Sequence, residues 1–547
     1  MKRIINRKLL FRSVSAIAIA LLLTGIAGCN GLSRNPLNLS ETVKPSGAVF
    51  VSKQAPVMVS MLVNPNRFEA LDGELKLSKL KTSLLANTGL EYKKDVQPWL
   101  GSEITLAVTT DDIDRDAING KQPGYLMSVK TKDAAKSREF IELLFSKRVL
   151  AGTSLVVEQY KGVKLISDTP QTASIKKPLA ATVVGDNFVL FANDAKILRE
   201  AVNNVQAPGL SLTSLDKYQQ LIKQLGSKTQ AVTFLNLPAV AKWQGLKLSS
   251  PLSYDAQLIS LTKKSPGLLA ETSLLANSPL PAAELSEKIA ALSYIPATCG
   301  FAIAGKHLSN LDNSNLALLW QQTATAISGG SEEGIASQIT QPLTNLQKRW
   351  GINLKEDIFS WVKGEYAIAL LPNTDKTPDW VFVAENSTTP ADISHLDEIA
   401  ARNGLTVSQI NLNEQKISAW TQLTTTGNKA SNFNIQAKVL GAHTPKDNYE
   451  IFTNSIETMD LVLNNKNNLF NDNRSFQKSI AAIPQPNQGY VFIDWTKSQN
   501  LIESQLPILK FIEIVGKPFF DRLQSFTISS YDNSDLLKAG IMFLFNE

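Results

Sequence analysis

From residue 46 onward the apolar positions of the chain alternate between two periods. Ile104, Leu106 and Val108 recur at every second position, as one face of a half-buried strand requires, and Tyr125, Met127 and Val129 repeat the pattern after a polar loop. Over 133–147 the period lengthens, and Ala135, Phe140, Ile141, Leu144 and Phe145 fall on one helical face. Strands are predicted again near 154–167 and 181–192, followed by a helix over 194–203. Antiparallel hairpins interspersed with helices predict an α+β fold, a mainly antiparallel sheet with helices packed on one face.

The same pattern occurs twice. DVQPWLGSEITLAV at 95–108 matches DIFSWVKGEYAIAL at 357–370, so that Asp95, Trp99 and Glu103 correspond to Asp357, Trp361 and Glu365, each pair 262 residues apart. GDNFVLFAND at 185–194 matches KDNYEIFTNS at 446–455 with an offset of 261, which pairs Asn193 with Asn454. VTFLNL at 232–237 matches YVFIDW at 490–495 with an offset of 258. Upstream, QAPVMVSML at 54–62 resembles IPATCGFAI at 295–303 with an offset of only about 240, which calls for an insertion of about 20 residues in the second copy. The small, Gly-rich run AISGGSEEGIAS at 326–337 suits it. Each copy closes with strand, turn and strand, and the proline-bearing stretch 277–288 reads as the link. The expected architecture is therefore two tandem homologous α+β domains, 46–276 and 289–547. Solenoid repeats, at about 20–50 residues, are too short to account for it.

The first 28 residues have a different character. Lys2, Arg3, Arg7, Lys8 and Arg12 precede an apolar stretch from Val14 to Leu23, too short for an ordinary membrane span, and I-A-G-C ends at Cys29. The pattern resembles the signal and lipobox of bacterial lipoproteins. The resemblance implies a diacylglyceryl group on Cys29, cleavage before it, and 29–45 as a tether. Two or more acyl chains suffice for stable attachment, so the body is expected to sit on a membrane surface facing the periplasm or a thylakoid lumen. The chain has 547 residues, enough for two to four domains, and 55 Lys and Arg against 49 Asp and Glu. Without the five basic residues of the leader its net charge is only +1, too little field to make nucleic acid a partner. Cys299 is the only other cysteine. With Cys29 lipidated it has no disulfide partner, and among strand-like apolar neighbours it reads as a buried, inert thiol.

With the lipobox, the stretch GINLKEDIFSWVKGEYAIAL at 351–370 resembles a cyanobacterial family of two-repeat lipoproteins catalogued as a domain of unknown function. The first copy departs from the pattern, with Pro98 where Ser360 stands and Gly101 one place nearer its Trp than Gly364 is. The resemblance implies localisation and architecture, and it supplies no catalytic residues.

A search for chemistry finds little. His307, His395 and His443 lack metal-ligand spacing and read as incidental. The nucleophile elbow and the phosphate-binding loop are missing, and Ser214–Lys217 and Ser475–Lys478 stand without companion motifs. Asp111, Asp112, Asp114 and Asp116 begin like a calcium loop, but Ala117 and Pro123 occupy the places of the turn Gly and the closing Glu, so a solvated hairpin loop is expected. The repeated Asp, Trp and Glu read as a helix cap, a packing residue and a strand start. No cofactor is implied. The leading expectation is a membrane-tethered, non-enzymatic binding or scaffolding protein of the cell envelope, with an envelope protein as partner. The alternatives are a carrier of a lipid or other apolar ligand, and an enzyme with a site between the repeats, using Asp111 to Asp116.

Overall fold

A computed structural model describes residues 44–63, 88–116, 118, 120–170, 178–245, 254–265, 267–277, 285–286, 288–315, 353–372, 378–386, 390–412, 414–426, 434–464, 469–498, 521–533 and 536–546. The leader, Cys29, most of the tether and the run 326–337 lie outside the described residues, as does most of the link.

The first half contributes β1 (Val57–Met61), β2 (Leu100–Thr110), β3 (Gly124–Thr131), β4 (Thr153–Tyr160), β5 (Val163–Pro170), β6 (Leu179–Val184), β7 (Phe188–Ala192), β8 (Thr229–Asn236), β9 (Tyr254–Lys264) and β10 (Gly267–Ala276). Its helices are α1 (Ala134–Leu150), α2 (Ala195–Gln206), α3 (Asp216–Ile222) and α4 (Leu237–Gln244). The second half contributes β11 (Phe301–Lys306), β12 (Glu365–Leu371), β13 (Asp379–Glu385), β14 (Thr406–Leu412), β15 (Gln415–Thr426), β16 (Asn434–Lys446), β17 (Tyr449–Thr453), β18 (Gly489–Asp494), β19 (Leu523–Asn533) and β20 (Leu536–Phe545). Its helices are α5 (Pro390–Arg402), α6 (Ile456–Asn464) and α7 (Arg474–Ile480).

Pairing is antiparallel throughout. Followed from neighbour to neighbour, the first half runs β4, β5, β6, β7, β3, β2, β1, β8, β9, β10. β10 then pairs with β20, and the second half runs outward as β19, β18, β11, β12, β13, β17, β16, β15, β14. The second order is the first, strand for strand, in reverse direction. Register carries the correspondence to single residues: Val57 faces Val108 and Leu235, and Phe301 faces Leu370 and Ile493. From Val57 to Phe301 is 244 residues, and from Trp99 to Trp361 is 262, so 18 extra residues lie between those points in the second half.

The expectation of two tandem domains, each with its own sheet and with helices on one face, is corrected on both counts. The twenty strands form one sheet. At about 4.8 Å between neighbours it measures on the order of 90 Å across its strands before twist is allowed for. Helices cover both faces of each half. Val189 and Phe191 of β7 pack under Phe140, Ile141, Leu144 and Phe145 of α1, while Leu190 and Ala192, pointing the other way, pack under Ile197, Leu198 and Ala201 of α2. On β13, Phe382 and Ala384 face α5 whereas Val381 and Val383 face α6. A strand buried on both faces must be apolar at consecutive positions, which is why FVLFA and WVFVA lose the alternation of β2.

The join at the centre is symmetric. Tyr254 and Leu523 begin β9 and β19, and Gly267 and Leu536 begin β10 and β20, both pairs 269 residues apart. Glu271 and Gly540 are also 269 apart, and they face each other in the β10–β20 ladder. Each position on β10 thus meets the counterpart of its mirror position, the self-complementary arrangement of a two-fold dimer interface, here within one chain. The core does not stop at the join. Ala231, Leu261 and Leu268 cluster with Ile493, Trp495, Phe526 and Phe545, and Leu237, Tyr254 and Leu274 cluster with Leu537 and Ala539.

At one end of this ladder a Cβ on Gly267 would run into the Phe543 carbonyl, so only glycine lets the strands close there. Gly267→Ala is expected to lower the unfolding free energy by about 1–3 kcal/mol. Gly209→Ala, where a Cβ meets open space, should change it little. Urea denaturation of the two variants beside the parent checks this, and equal midpoints would contradict the tight seam.

Candidate functional site

The repeated motif is a local scaffold with the same contacts in both halves. Asp95 accepts from the Glu91 N–H at 2.7 Å, and the Trp99 indole donates to the Asp95 carbonyl at 2.9 Å. Asp357 accepts from the Asn353 N–H at 2.7 Å, and the Trp361 indole donates to the Asp357 carbonyl at 2.7 Å. Trp99 is buried and packs on Phe140 with ring centroids 5.2 Å apart, whereas Trp361 is half-buried. Glu365 begins β12, but Glu103 lies fourth in β2, where it is buried. Both glutamates cap the short 3-10 helix that opens their half. Glu103 accepts from the Ser46 N–H at 3.1 Å, the Gly47 N–H at 2.6 Å and the Ser46 hydroxyl. Glu365 accepts from the Ala290 and Ala291 N–H groups at 2.7 and 3.3 Å and from the Tyr449 hydroxyl at 3.1 Å. The paired asparagines are as alike: Asn193 accepts from the Tyr125 N–H at 2.8 Å, and Asn454 from the Trp380 N–H at 3.1 Å.

The acid run lies in the β2–β3 loop of the first half and not at the join. Asp111 pairs with Lys121 at 3.2 Å, and Asp112 accepts from the Gln122 N–H at 3.2 Å. Asp114 and Asp116 accept from the N–H two residues on, at 3.1 and 2.9 Å, closing turns within the loop. Among the described residues no group of three or more His, Cys, Asp and Glu converges as metal ligands would. Cys299 is fully buried, and burial raises its thiol to about 12, so it stays protonated at neutral pH.

One cluster that the sequence reading passes over joins α5 to the sheet. His443 on β16 is buried, with Nδ1 2.7 Å from Glu450 Oε1 and Nε2 3.1 Å from Asp397 Oδ1. The Trp420 indole donates to the same Asp397 oxygen at 2.6 Å, and the imidazole lies between the rings of Trp420 and Phe452. Burial pulls the imidazole down, but the hydrogen bonds and charges of Asp397 and Glu450 outweigh it and hold it at about 9. It is therefore an imidazolium at neutral pH, donating from both nitrogens. Burial also pushes the Asp397 carboxyl up, yet hydrogen bonds from His443 and Trp420 keep it below the usual range. By register the first half has Phe145, Asp168, Ala181 and Val189 where the second has Asp397, Trp420, His443 and Glu450. There Asp168 instead takes both Arg148 Nε and Arg148 Nη2, the latter at 3.0 Å. The reading of His443 as incidental is corrected. Only a comparison of the copies, which sets three charged or ionisable residues against Phe145, Ala181 and Val189, signals it.

Over the central join, between the ends of α3 and α7, lies an open cleft of about 450 Å³. Glu271 stands at its floor and accepts from the Tyr531 hydroxyl at 2.8 Å. Gln224, Ser260 and Lys538 add polar groups, and Leu225 and Pro486 add apolar ones. Its volume suits a small molecule. No histidine or cysteine lines it.

A family described as a protein of unknown function, DUF3352, matches residues 14–545, and the chain belongs to that family. No curated protein matches the chain. Among solved structures, crystal form I of TP0453 is similar at 13% identity with a TM-score of 0.24, over 45% of this chain and 81% of that one. Crystal form IV of TP0453 is similar at 15% identity with a TM-score of 0.23, over 44% and 83%. At such scores the likeness carries nothing about this chain.

Two measurements follow from the geometry. Glu103→Ala strands the buried Gly47 N–H and the part-buried Ser46 N–H and is expected to cost about 1–3 kcal/mol, with Glu103→Gln recovering part of it, as read by denaturant unfolding. For His443, a folded value near 9 against about 6.5 unfolded means the cluster's contribution is complete below pH about 6.5 and lost as pH rises through 9. Unfolding free energy should fall across that window by on the order of 2–3 kcal/mol, and His443→Gln should flatten the fall. A parent protein with no alkaline decline would contradict the charged cluster.

Proposed function

We propose that this member of the DUF3352 family is a lipid-anchored, non-enzymatic scaffold of the cell envelope, formed by duplication and built on one long sheet. The observation that carries the reading is the use of the repeated polar residues. Asp95, Asp357, Glu103 and Glu365 are engaged in capping main-chain N–H groups, so the motif retained in both copies serves the fold. Support for the anchor comes from the leader and the I-A-G-C ending at Cys29. Support for duplication comes from the common strand order and the 244 to 269 residue offsets. A cyanobacterial source rests on the resemblance of 351–370 alone. Carriage of an apolar ligand is less favoured, because the cleft over the join is open and polar at its floor.

Expression in a bacterial host that processes lipoproteins tests the anchor. The parent chain should begin at Cys29, carry the mass of its acyl groups and stay with membranes through a high-salt wash. Cys29→Ser should lose the acyl mass and remain unprocessed. A Cys29→Ser chain cut normally and still retained on membranes would refute the anchor.

A further inference from the structure

We propose that the outer end of the first half is a lipid-contacting surface, in which β4 and the last turn of α1 rest in the headgroup region of the membrane that holds Cys29. The proposal rests on the anchor reading above and adds the site of contact. Leu150 is 83% exposed, Val156 and Val157 are 53% exposed, and Leu143, Val149 and Leu155 are each at least 40% exposed. Val157 faces Ile166, which lies under α1, so Val157 and Leu155 share the face of α1. Val156 points to the other face. The apolar surface therefore wraps the edge of the sheet and suits a partner approached edge-on.

The fold itself does not demand these residues. Gly152 and Gly404, both with positive φ, follow α1 and α5 at an offset of 252, and β4 maps on β14 with the same offset. At that offset Leu150, Val156 and Val157 are replaced by Arg402, Ser408 and Gln409. The second half keeps Val407 in the place of Leu155 but puts polar residues at these three exposed positions. Among the described residues β4 pairs with β5 alone, and the Leu155–Val157 run carries no charge or proline of the kind that guards exposed edges.

The chain enters the fold over β2 and β7, and the end of α2 links that entry to the β4–β5 turn. Asn204, near the end of α2, donates to the Phe50 carbonyl at 3.0 Å. Its neighbour Asn203 accepts from the Tyr160 hydroxyl at 3.0 Å, and Gln206 donates to the Lys161 carbonyl at 3.3 Å. One helix end thus holds both the opening 3-10 helix and the β4–β5 turn. The span from Cys29 to Lys44 reaches at most about 50 Å when extended, which keeps that end of the molecule near the anchor. Lys147 and Lys161 flank the patch, as cations bordering a membrane-facing surface do. The outward N–H and C=O groups of β4 must keep water or headgroup partners, so contact is limited to about the 5–10 Å depth of the interface.

The test uses the full-length, lipidated protein in vesicles of phosphatidylcholine and phosphatidylglycerol. Val157→Cys or Gln409→Cys carries a polarity-sensitive fluorophore; buried Cys299 stays unlabelled. The Val157→Cys label should shift to the blue and be quenched by spin-labelled lipid on the order of twofold, the Gln409→Cys label should do neither, and adding Leu150→Asp should cancel the quenching. A Val157→Cys label that stays aqueous on protein that cosediments with the vesicles overturns the contact and leaves the anchor standing. A blue shift without vesicles, together with a doubled mass in solution, overturns it in favour of a second copy pairing along β4. A chain without acyl mass that fails to cosediment overturns the anchor reading and the contact with it, and the mass separates that outcome from the others.

Discussion

The ladder between β10 and β20 is the contact on which the rest of the structure depends. Each half ends in a hairpin whose last strand has one edge unpaired within its own copy, and an unpaired edge in a protein core is not sustainable. Pairing those edges satisfies nine facing positions from Gly267 to Leu275 and closes the apolar clusters over both sides of the join. The centring on Glu271 and Gly540 is what lets two similar hairpins do this without strain, since every contact on one side has a counterpart on the other. Gly540 has a further role: Tyr531 crosses over it to reach Glu271, and a Cβ there would stand 3.3 Å from the Tyr531 hydroxyl oxygen.

Joining at the last strands fixes where the outer elements lie. β4 and β14 become the two ends of the sheet, and the helices must shield long strands on both faces. The consecutive apolar residues of β7 and β13 follow from that requirement. So does the placing of α1 and α2 on opposite faces of β7.

Much of this was legible in the sequence, and the limits have physical causes. Offsets of 262, 261 and 258 are the offsets of the aligned strands, because Trp99, Phe191 and Phe234 occupy sites whose packing both halves repeat. The shorter offset near β1 pointed to an insertion of the right size. What periodicity could not show is which strands share an edge, since hydrogen bonding between main chains leaves no mark on side-chain alternation; hence two sheets were expected where there is one. Helices on both faces leave their mark only locally: Ile104, Leu106 and Val108 alternate as on a one-sided sheet, whereas FVLFA and WVFVA are apolar at consecutive positions. The reading of Asp95 and Asp357 as caps could be made from the residues alone, because capping is local. His443 leaves no local signal, because its partners lie 46 residues before it and 7 after it on different elements; only the comparison of the halves marks it.

The two halves nevertheless differ in the layer under α1 and α5. Replacing Ala181 alone by histidine would bury a neutral imidazole lacking the two carboxylates that keep His443 charged. The facing positions differ as a set: Asp397, Glu450 and Trp420 surround His443 in the second half, where the first has the Arg148–Asp168 pair. Such a concerted exchange preserves packing while altering chemistry, and it lies in the layer under α1 and α5, next to the outer edges. The joined centre keeps its symmetry because each side is the other's partner. The ends have no such mutual constraint, so Leu150, Val156 and Val157 at one edge can coexist with Arg402, Ser408 and Gln409 at the other.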